Sequence, residues 1–166
     1  SGFYQMKYLL KNNRDGAASV YRTTVEVSQD ERNIYFNFVA EHSNYYCPYH
    51  NYNDIHSCGD AVEILIGIDP ARKIYYELEV NPDNSKMLAK MTVTELDGDG
   101  AAKLNIEFVD EKDCFFTSSI AKTSGGYIAC IVIDKVRLNM PVEQIYFNAY
   151  RLETDGGEME KHLFAL

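Results

Sequence analysis

Two glutamates and a tyrosine alternate along one short run of this chain, in a pattern that could serve catalysis or binding. In residues 73–80 (Lys-Ile-Tyr-Tyr-Glu-Leu-Glu-Val), Tyr75, Glu77 and Glu79 share one face of a predicted β-strand, and mostly apolar side chains take the other. Carboxylates two residues apart on a strand are separated by ~7 Å, within the range of catalytic pairs in glycosidases. Any solvated strand with two glutamates gives the same spacing, so a solvated sheet face is the commoner explanation.

Asp60 and Glu63 form a second carboxylate pair ahead of this strand, and the same two explanations apply to them. The chain has no phosphate-binding glycine loop, no Gly-x-Ser-x-Gly elbow and no His-Glu-x-x-His motif. Catalysis, whether glycosidic or metal-assisted, is therefore a weaker hypothesis than binding.

Tyrosines, amides and charged groups recur in three parts of the chain, a combination that suits sugar binding. Sugars present flat C–H faces, which aromatic rings match, and hydroxyl groups, which amide and charged side chains hydrogen-bond. Residues 45–52 hold four tyrosines, and a late strand places Tyr146, Asn148 and Tyr150 on one face, with Arg151 at its end. The predicted ligand-binding residues are Tyr46, Tyr49, Tyr52, Tyr75, Glu77, Glu79, Asn148, Tyr150 and Arg151.

Two further patterns could hold a metal ion. Cys47, His50, His56 and Cys58 could supply the four tetrahedral ligands that zinc favours, although the His-x-Cys spacing is tighter than usual. The alternative for these residues is a polar loop with two shielded thiols. The acidic run at residues 97–100 (Asp-Gly-Asp-Gly) lacks the other ligands of an EF-hand calcium loop, so we predict a turn there.

Composition narrows the class of protein and its partners. The chain has 166 residues, 46% of them hydrophobic, and a formal net charge of −9, which fit one globular domain over residues 1–166. Nucleic acid and anionic membranes bind clustered Lys and Arg, so we expect neither as a partner. No run approaches the ~20 apolar residues of a membrane span. A neutral ligand, or a bound cation, is compatible with the negative net charge. The chain ends on an apolar run at residues 161–166, which leads us to expect a further short segment.

The periodicity of the chain predicts an all-β protein, an antiparallel sandwich of about ten short strands with immunoglobulin-like or jelly-roll-like architecture. Turn signals recur at roughly the 8–12-residue spacing of such sandwiches, and only residues 134–140 suggest a helical turn. A two-residue turn at Ser124-Gly125 would place Cys130 opposite Ser119 rather than Cys114, so we expect the cysteines to be reduced. The predicted strands cover residues 3–10, 19–27, 34–40, 61–68, 73–80, 86–95, 101–109, 114–120, 127–133, 144–152 and 161–166.

Several of these stretches resemble the family 9 carbohydrate-binding modules and their wider class of β-sandwich domains. The most specific match is residues 75–82 (Tyr-Tyr-Glu-Leu-Glu-Val-Asn-Pro). The weaker matches, in order, are an early hairpin at 25–38, an Asp-x-Val-Glu strand at 60–66, a strand before a helical turn at 127–133, and a strand ending in Asn-x-Tyr-Arg at 146–151. Together they span roughly residues 20 to 166.

The resemblance implies a sandwich that binds sugars without catalysis, often at the ends of glucan or xylan chains and sometimes with structural calcium. It implies ligand contacts at Glu77, Asn148 and Arg151, with an aromatic ring of the 45–52 loop stacked on the sugar. The best-known members clamp the sugar between two tryptophans, and this chain has none. Tyrosines would take their place, from the 45–52 loop on one side and Tyr150 on the other.

Carbohydrate binding is therefore the leading hypothesis, as an accessory module of a polysaccharide-degrading enzyme, covalently linked to or associated with its catalytic domain, or as a free-standing relative. The runner-up is an interaction or structural domain of the same fold that has no sugar site. An enzyme acting through Glu77 and Glu79, or through a metal held by the Cys/His loop, comes third.

Overall fold

The computed structural model describes residues 5–54, 59–67, 69–71, 73–96, 98–139, 144–156 and 162–166. Within them the chain forms twelve strands, a short 3₁₀-helix at Glu111–Asp113 and one helical turn, α1, at Lys135–Leu138. The strands are β1 (Gln5–Leu9), β2 (Lys11–Asn12), β3 (Thr23–Gln29), β4 (Asn33–Glu41), β5 (Ala61–Gly67), β6 (Ile74–Val80), β7 (Lys86–Leu96), β8 (Ala102–Phe108), β9 (Phe116–Thr123), β10 (Gly126–Asp134), β11 (Tyr146–Glu153) and β12 (His162–Ala165).

The strands form two antiparallel sheets. The five-stranded sheet has the order β1-β3-β4-β10-β9, and the seven-stranded sheet has the order β2-β12-β11-β5-β6-β7-β8. The predicted all-β antiparallel sandwich is therefore confirmed. In the parts of the chain that the structure describes, no helix has the length and apolar character needed to cross a membrane.

Alternation along the strands produces the core. In β4 the side chains of Ile34, Phe36, Phe38 and Ala40 are buried, while the residues between them are half-buried or exposed. Strands β5, β6 and β10 contribute in the same way from their inward faces, so one apolar cluster lies between the sheets. Burial of these side chains stabilises the fold by roughly 1.5–3 kcal/mol each.

Several local predictions can be compared with the structure. The register places Cys130 opposite Ser119, as predicted, and Cys47, Cys114 and Cys130 are free thiols. The helical turn α1 is present, and the Asp134 side chain caps it by accepting from the backbone N–H groups of Val136 and Arg137. Residues 11–12 fall between the predicted strands at 3–10 and 19–27, yet they form strand β2 because they pair with the C-terminal strand β12.

The segment between β4 and β5 crosses from one sheet to the other and closes one end of the sandwich. Its backbone is held by polar contacts to the strand ends: Asp60 N–H donates to the carbonyl of Tyr46 at 2.8 Å, and Asn53 N–H donates to the carbonyl of Lys86 at 2.8 Å. The Asn53 side chain also donates to the Val109 carbonyl and accepts from the Leu88 N–H. We call residues 42–54 the end loop.

The β9–β10 hairpin, beside this end loop, yields a stability prediction. Gly126 has a φ of +151°, and a Cβ added there would lie 1.9 Å from the Ala40 carbonyl oxygen of β4. Gly126→Ala should therefore lower the free energy of unfolding by about 1–3 kcal/mol, measured by urea denaturation. Gly125→Ala is the matched control, because a Cβ there meets nothing within 4 Å. Equal stability of the two variants would contradict this packing.

Candidate functional site

The outer face of the seven-stranded sheet, which points away from the core, carries most of the predicted site residues. Along β6, Leu78 and Val80 are buried in the core, and Tyr75, Glu77 and Glu79 lie on the outer face. The alternation expected from the sequence is present. It follows from the period of two along a strand whose inner face must be buried.

Strand register brings a third glutamate to this pair. Glu63 of β5 lies directly opposite Glu79, and Leu65 lies opposite Glu77. Carboxylate oxygens of Glu63, Glu77 and Glu79 lie within 4.8 Å of one another, and we call these residues the carboxylate triad. The sequence paired Glu63 with Asp60 instead. Glu63 was recognisable as an outward residue of its strand, but its neighbours depend on register between strands.

The triad holds a proton that isolated glutamates would lose. Burial, reinforced by the charges of Glu77 and Glu79 and by a hydrogen bond to Glu79, raises the pKa of Glu63 to about 8. Burial also raises the pKa of Glu77, partly offset by its hydrogen bond to Glu79. At neutral pH Glu63 therefore offers a carboxylic acid donor within the triad.

Strand β11 lines the other side of the triad. Tyr150 lies opposite Glu63, Asn148 lies opposite Leu65, and Tyr146 lies opposite Gly67, all on the outer face. The Asn148 side chain donates to the Tyr150 hydroxyl at 2.9 Å, which fixes the orientation of both groups. The structure thus brings together five of the predicted residues: Tyr75, Glu77, Glu79, Asn148 and Tyr150.

An apolar strip borders the triad on the side of β7. Met87, Ala89 and Met91 lie opposite Glu79, Glu77 and Tyr75, respectively, and pack together with the Tyr75 ring. The outer face therefore presents acidic groups between aromatic and aliphatic surfaces, rather than a uniformly solvated polar layer.

A cleft of about 560 Å³ opens at the Tyr75 end of the outer face. Its walls include Leu65, Gly67, Tyr75, Tyr146 and Asn148 from that face, together with apolar side chains from the adjoining end of the sandwich. Ligand pockets commonly have volumes of about 300–1,000 Å³ and apolar walls with a few polar groups. Because Gly67 has no side chain, the floor between Tyr75 and Tyr146 stays open.

The end loop places its tyrosines at the opposite end, beside Glu79 rather than the cleft. Tyr46 is exposed, and its backbone N–H donates to the Asp60 carboxylate at 2.8 Å. The Tyr49 carbonyl accepts a hydrogen bond from the Asn81 side chain, and Tyr52 packs against the core. The structure therefore does not gather Tyr46, Tyr49 and Tyr52 with the cleft.

The Cys/His candidates lie partly outside the described residues, which exclude His56 and Cys58. Burial, together with the charges of Asp83 and Asp60, raises the pKa of Cys47 to about 12, so it is a thiol at neutral pH. His50 Nδ1 lies 4.0 Å from Asp83 Oδ2. The zinc site therefore stays a prediction, and so does a calcium site. Gly98 and Asp99 form the turn predicted at residues 97–100, and Asp97 lies outside the described residues.

Arg151 does not line the outer face, and here the sequence expectation needs correction. It lies opposite Val62 on the inner face of β11, is fully buried, and donates from Nη1 to Thr23 Oγ1 at 2.8 Å. Its guanidinium carbon lies 5.7 Å from the centre of the Tyr127 ring. Adjacent residues of a strand point to opposite faces, so Tyr150 and Arg151 cannot share a ligand surface.

The end of β11 carries further buried charges that join the end loop to the sandwich. His42 Nδ1 lies 2.9 Å from Glu153 Oε1, and His42 Nε2 lies 3.3 Å from Asp155 Oδ1. The Tyr21 ring stacks on the His42 imidazole at 3.8 Å. The Asp60 carboxylate accepts from Thr154, and burial raises its pKa. Asp60, Arg151 and Glu153 are thus buried structural residues at this end of the sandwich and do not line the outer face.

Comparison with solved structures defines the fold. A candidate carbohydrate-binding protein from Bacteroides uniformis superimposes with a TM-score of 0.73 at 12% identity, over 99% of this chain and 77% of that one. A family 9 carbohydrate-binding module (CBM9) from Caldicellulosiruptor kristjanssonii, solved with glucose, gives 0.62 at 13% identity, over 94% and 72%. This chain has a CBM9-like fold. No family model and no curated protein matches its sequence.

The carboxylate triad leads to a prediction about how the stability of this CBM9-like fold depends on pH. The folded chain keeps a proton on Glu63 that the unfolded chain releases above its ordinary pKa near 4.5. The free energy of unfolding should therefore fall as pH rises from about 5 to about 8, and level off above that range. Glu63→Gln replaces the acid by a neutral amide, so the variant should be more stable than the parent by about 2–4 kcal/mol at pH 9 and equal to it near pH 4.

The measurement is urea denaturation of both proteins at a series of pH values. Glu31→Gln, on the exposed β3–β4 turn of the other sheet, is the control for removing one carboxylate. A constant stability difference between Glu63→Gln and the parent across the pH range would contradict a protonated Glu63.

The buried position of Arg151 generates a second prediction. Arg151→Ala removes a large, fully buried side chain, its hydrogen bond to Thr23 and the positive charge that partly offsets the rise that burial causes in the pKa of Asp60, and should lower the free energy of unfolding by about 3–5 kcal/mol. The exposed Arg22→Ala should change it by no more than about 0.5 kcal/mol. Thermal or urea denaturation compares the two. A nearly neutral Arg151→Ala would contradict the buried placement.

Proposed function

We propose that this chain binds carbohydrate, without catalysing a reaction, through the outer face of its seven-stranded sheet. The observation that carries the proposal is the convergence of Tyr75, Tyr150, Asn148 and the carboxylate triad on one sheet face, where Tyr75 and Asn148 also line the cleft. Both structural neighbours support it, because one is described as a candidate carbohydrate-binding protein and the other was solved with glucose.

The chemistry of these groups matches a sugar. The half-buried rings of Tyr75 and Tyr150 offer flat surfaces for C–H faces, and the carboxylates and the Asn148 amide can bond hydroxyl groups. Charge-assisted hydrogen bonds to carboxylates are roughly twice as strong as neutral ones. The triad is therefore the strongest polar anchor on the outer face, and the apolar cleft walls would cover the rest of a sugar ring.

A binding role agrees with the geometry better than glycoside hydrolysis. Glycosidases place two carboxyl groups so that they flank the scissile bond, roughly 6.5–9.5 Å apart in inverting enzymes and roughly 5–5.5 Å apart in retaining enzymes. In the triad the carboxylates are packed against one another on a single surface, with oxygens within 4.8 Å, and one of them retains a proton. The three groups act as one cluster and not as two groups that face each other across a bond.

We extend the proposal to glucan- or xylan-type oligosaccharides or chain ends, bound by an accessory module of a polysaccharide-degrading enzyme or by a free-standing relative. Tyr75 and Tyr150 would take the place of the tryptophans that the chain lacks. Tyr46, the exposed tyrosine at the Glu79 end, would be available to a longer ligand. Arg151 has no part in the site.

Calorimetric titration with a panel of mono- and oligosaccharides, with and without calcium, tests the proposal. We expect dissociation constants in the range of about 1 μM to 1 mM. Glu77→Gln and Tyr75→Ala should each weaken binding by about tenfold or more, since each removes a ligand contact of about 1.5 kcal/mol. Glu31→Gln, on the other sheet, should leave affinity unchanged.

Absence of binding to every sugar in the panel would remove the proposed function. Binding that survives both Glu77→Gln and Tyr75→Ala would keep the function but move its site away from the outer face. Either result should be judged on variants whose thermal unfolding matches that of the parent.

A further inference from the structure

The last strand of the seven-stranded sheet, β8, has an open edge. It pairs with β7 and stands at the end of the strand order, and all seven of its residues are exposed. The seven-stranded sheet has two more strands than the sheet that covers it, and β8 lies outside the covered part. A strand edge of this kind is a template on which another strand can pair.

The side chains of β8 divide into an apolar row and a polar row. Leu104, Ile106 and Phe108 lie on the outer face beside Met91 and Ala89, and they are 40%, 51% and 48% exposed, respectively. Lys103, Asn105 and Glu107 lie on the other face. Large apolar side chains exposed in a row along an open edge favour burial against a partner.

The backbone of β8 indicates which groups are available at the edge. The Val109 N–H donates to the Leu88 carbonyl of β7, and the Lys103 carbonyl accepts from the Thr94 side chain, also of β7. Odd-numbered residues therefore direct their backbone groups toward β7. In an antiparallel ladder the direction alternates, so residues 104, 106 and 108 direct theirs to the open edge.

We propose that a second copy of this chain binds at β8, pairing antiparallel about a two-fold axis through Asn105. The sequence of the strand is self-complementary in this register. Lys103 would face Glu107 of the partner subunit, Glu107 would face the partner subunit's Lys103, and Leu104 would face Ile106 of the partner subunit. An interface related by a two-fold axis requires this kind of reciprocal matching.

The hydrogen-bonding pattern agrees with this register. Residues 104 and 106 direct their backbone groups outward, so they would form the hydrogen-bonded pairs across the junction. Lys103, Asn105 and Glu107 would then occupy the non-hydrogen-bonded positions, where opposing side chains are closest. The opposite charges would thus meet at the positions where cross-strand pairing is strongest. Lys103 Nζ already forms a salt bridge with Glu95 Oε2 of its own chain at 2.7 Å. Because this salt bridge is exposed, it contributes little to stability, and the ammonium group keeps further N–H donors for the partner.

The dimer would form one continuous sheet with both outer faces on the same side. If the proposed function also holds, two sugar sites would then lie on one surface, and a ligand with several sugar units could bind both with gain in avidity. This last consequence rests on the proposed function, whereas the dimer itself does not.

Sedimentation of the purified chain from about 1 μM to about 1 mM, at physiological salt to screen the net charge, tests the dimer. We expect a concentration-dependent monomer–dimer equilibrium. Glu107→Lys would oppose two lysines at each of two positions, and should weaken the dimer by roughly tenfold or more. The exchange of both charges, Lys103→Glu with Glu107→Lys, should restore it. Glu31→Lys, which changes net charge equally but lies on the other sheet, should leave the dimer intact.

A cysteine on the axis tests the register. Asn105→Cys would face its own copy at about 4.5 Å between Cα atoms, close enough for a disulfide, so mild oxidation should give a covalent dimer. Lys103→Cys would face a different residue, and it should crosslink no more than the parent chain, whose native thiols set the background. A chain that stays monomeric at about 1 mM, or a dimer that Glu107→Lys leaves unchanged, would overturn the proposal. Equal crosslinking of the two cysteine variants would overturn this register.

Discussion

The central strands of the sandwich bury one face against the other sheet, and the two sheets differ in width. Five strands cover the core from one side and seven from the other. The inner faces meet in one apolar cluster, and the alternation that fills this cluster directs every second residue of the wider sheet outward. The outer face therefore follows from alternation, whereas strand β8 is exposed because the narrower sheet leaves it uncovered.

The carboxylate triad shows what such a face can hold. Three glutamates in mutual contact are unfavourable while all are ionised, and the chain relieves this by retaining a proton on Glu63. An isolated structural surface gains nothing from this arrangement, and groups held at a stability cost are often functional. A hydroxyl-bearing ligand that donates to the carboxylates and accepts from the acid would satisfy all three. The geometry and the protonation of Glu63 therefore both agree with the proposed binding role.

The buried polar end of the sandwich has a different physical basis. Asp60, Arg151 and Glu153 are fully buried, and His42 and Thr154 contact them from the segments that close this end. Removal of one member would take a charge or a hydrogen-bonding group from a fully buried cluster, which makes the cluster sensitive to substitution. Arg151 ends the Asn-x-Tyr-Arg stretch that resembles a family motif, and in this chain it is buried in the core and hydrogen-bonded to Thr23. The fold likeness to CBM9 and the loss of Arg151 from the site are thus compatible.

Local pattern in the sequence determined the strands, their buried faces, the single helical turn at Lys135–Leu138 and the alternation of Tyr75, Glu77 and Glu79, because each depends only on neighbours along the chain. It also predicted the sandwich, since short alternating strands must pair in two layers. Tertiary structure alone decided which strands are neighbours and in what register. Register brought Glu63 to Glu77 and Glu79, and it paired residues 11–12 with β12 at the other end of the chain. The inward position of Arg151, by contrast, follows from alternation beside the outward Tyr150. Tertiary structure also placed the end-loop tyrosines away from the cleft, because loop position depends on backbone hydrogen bonds to distant strand ends that no local pattern encodes.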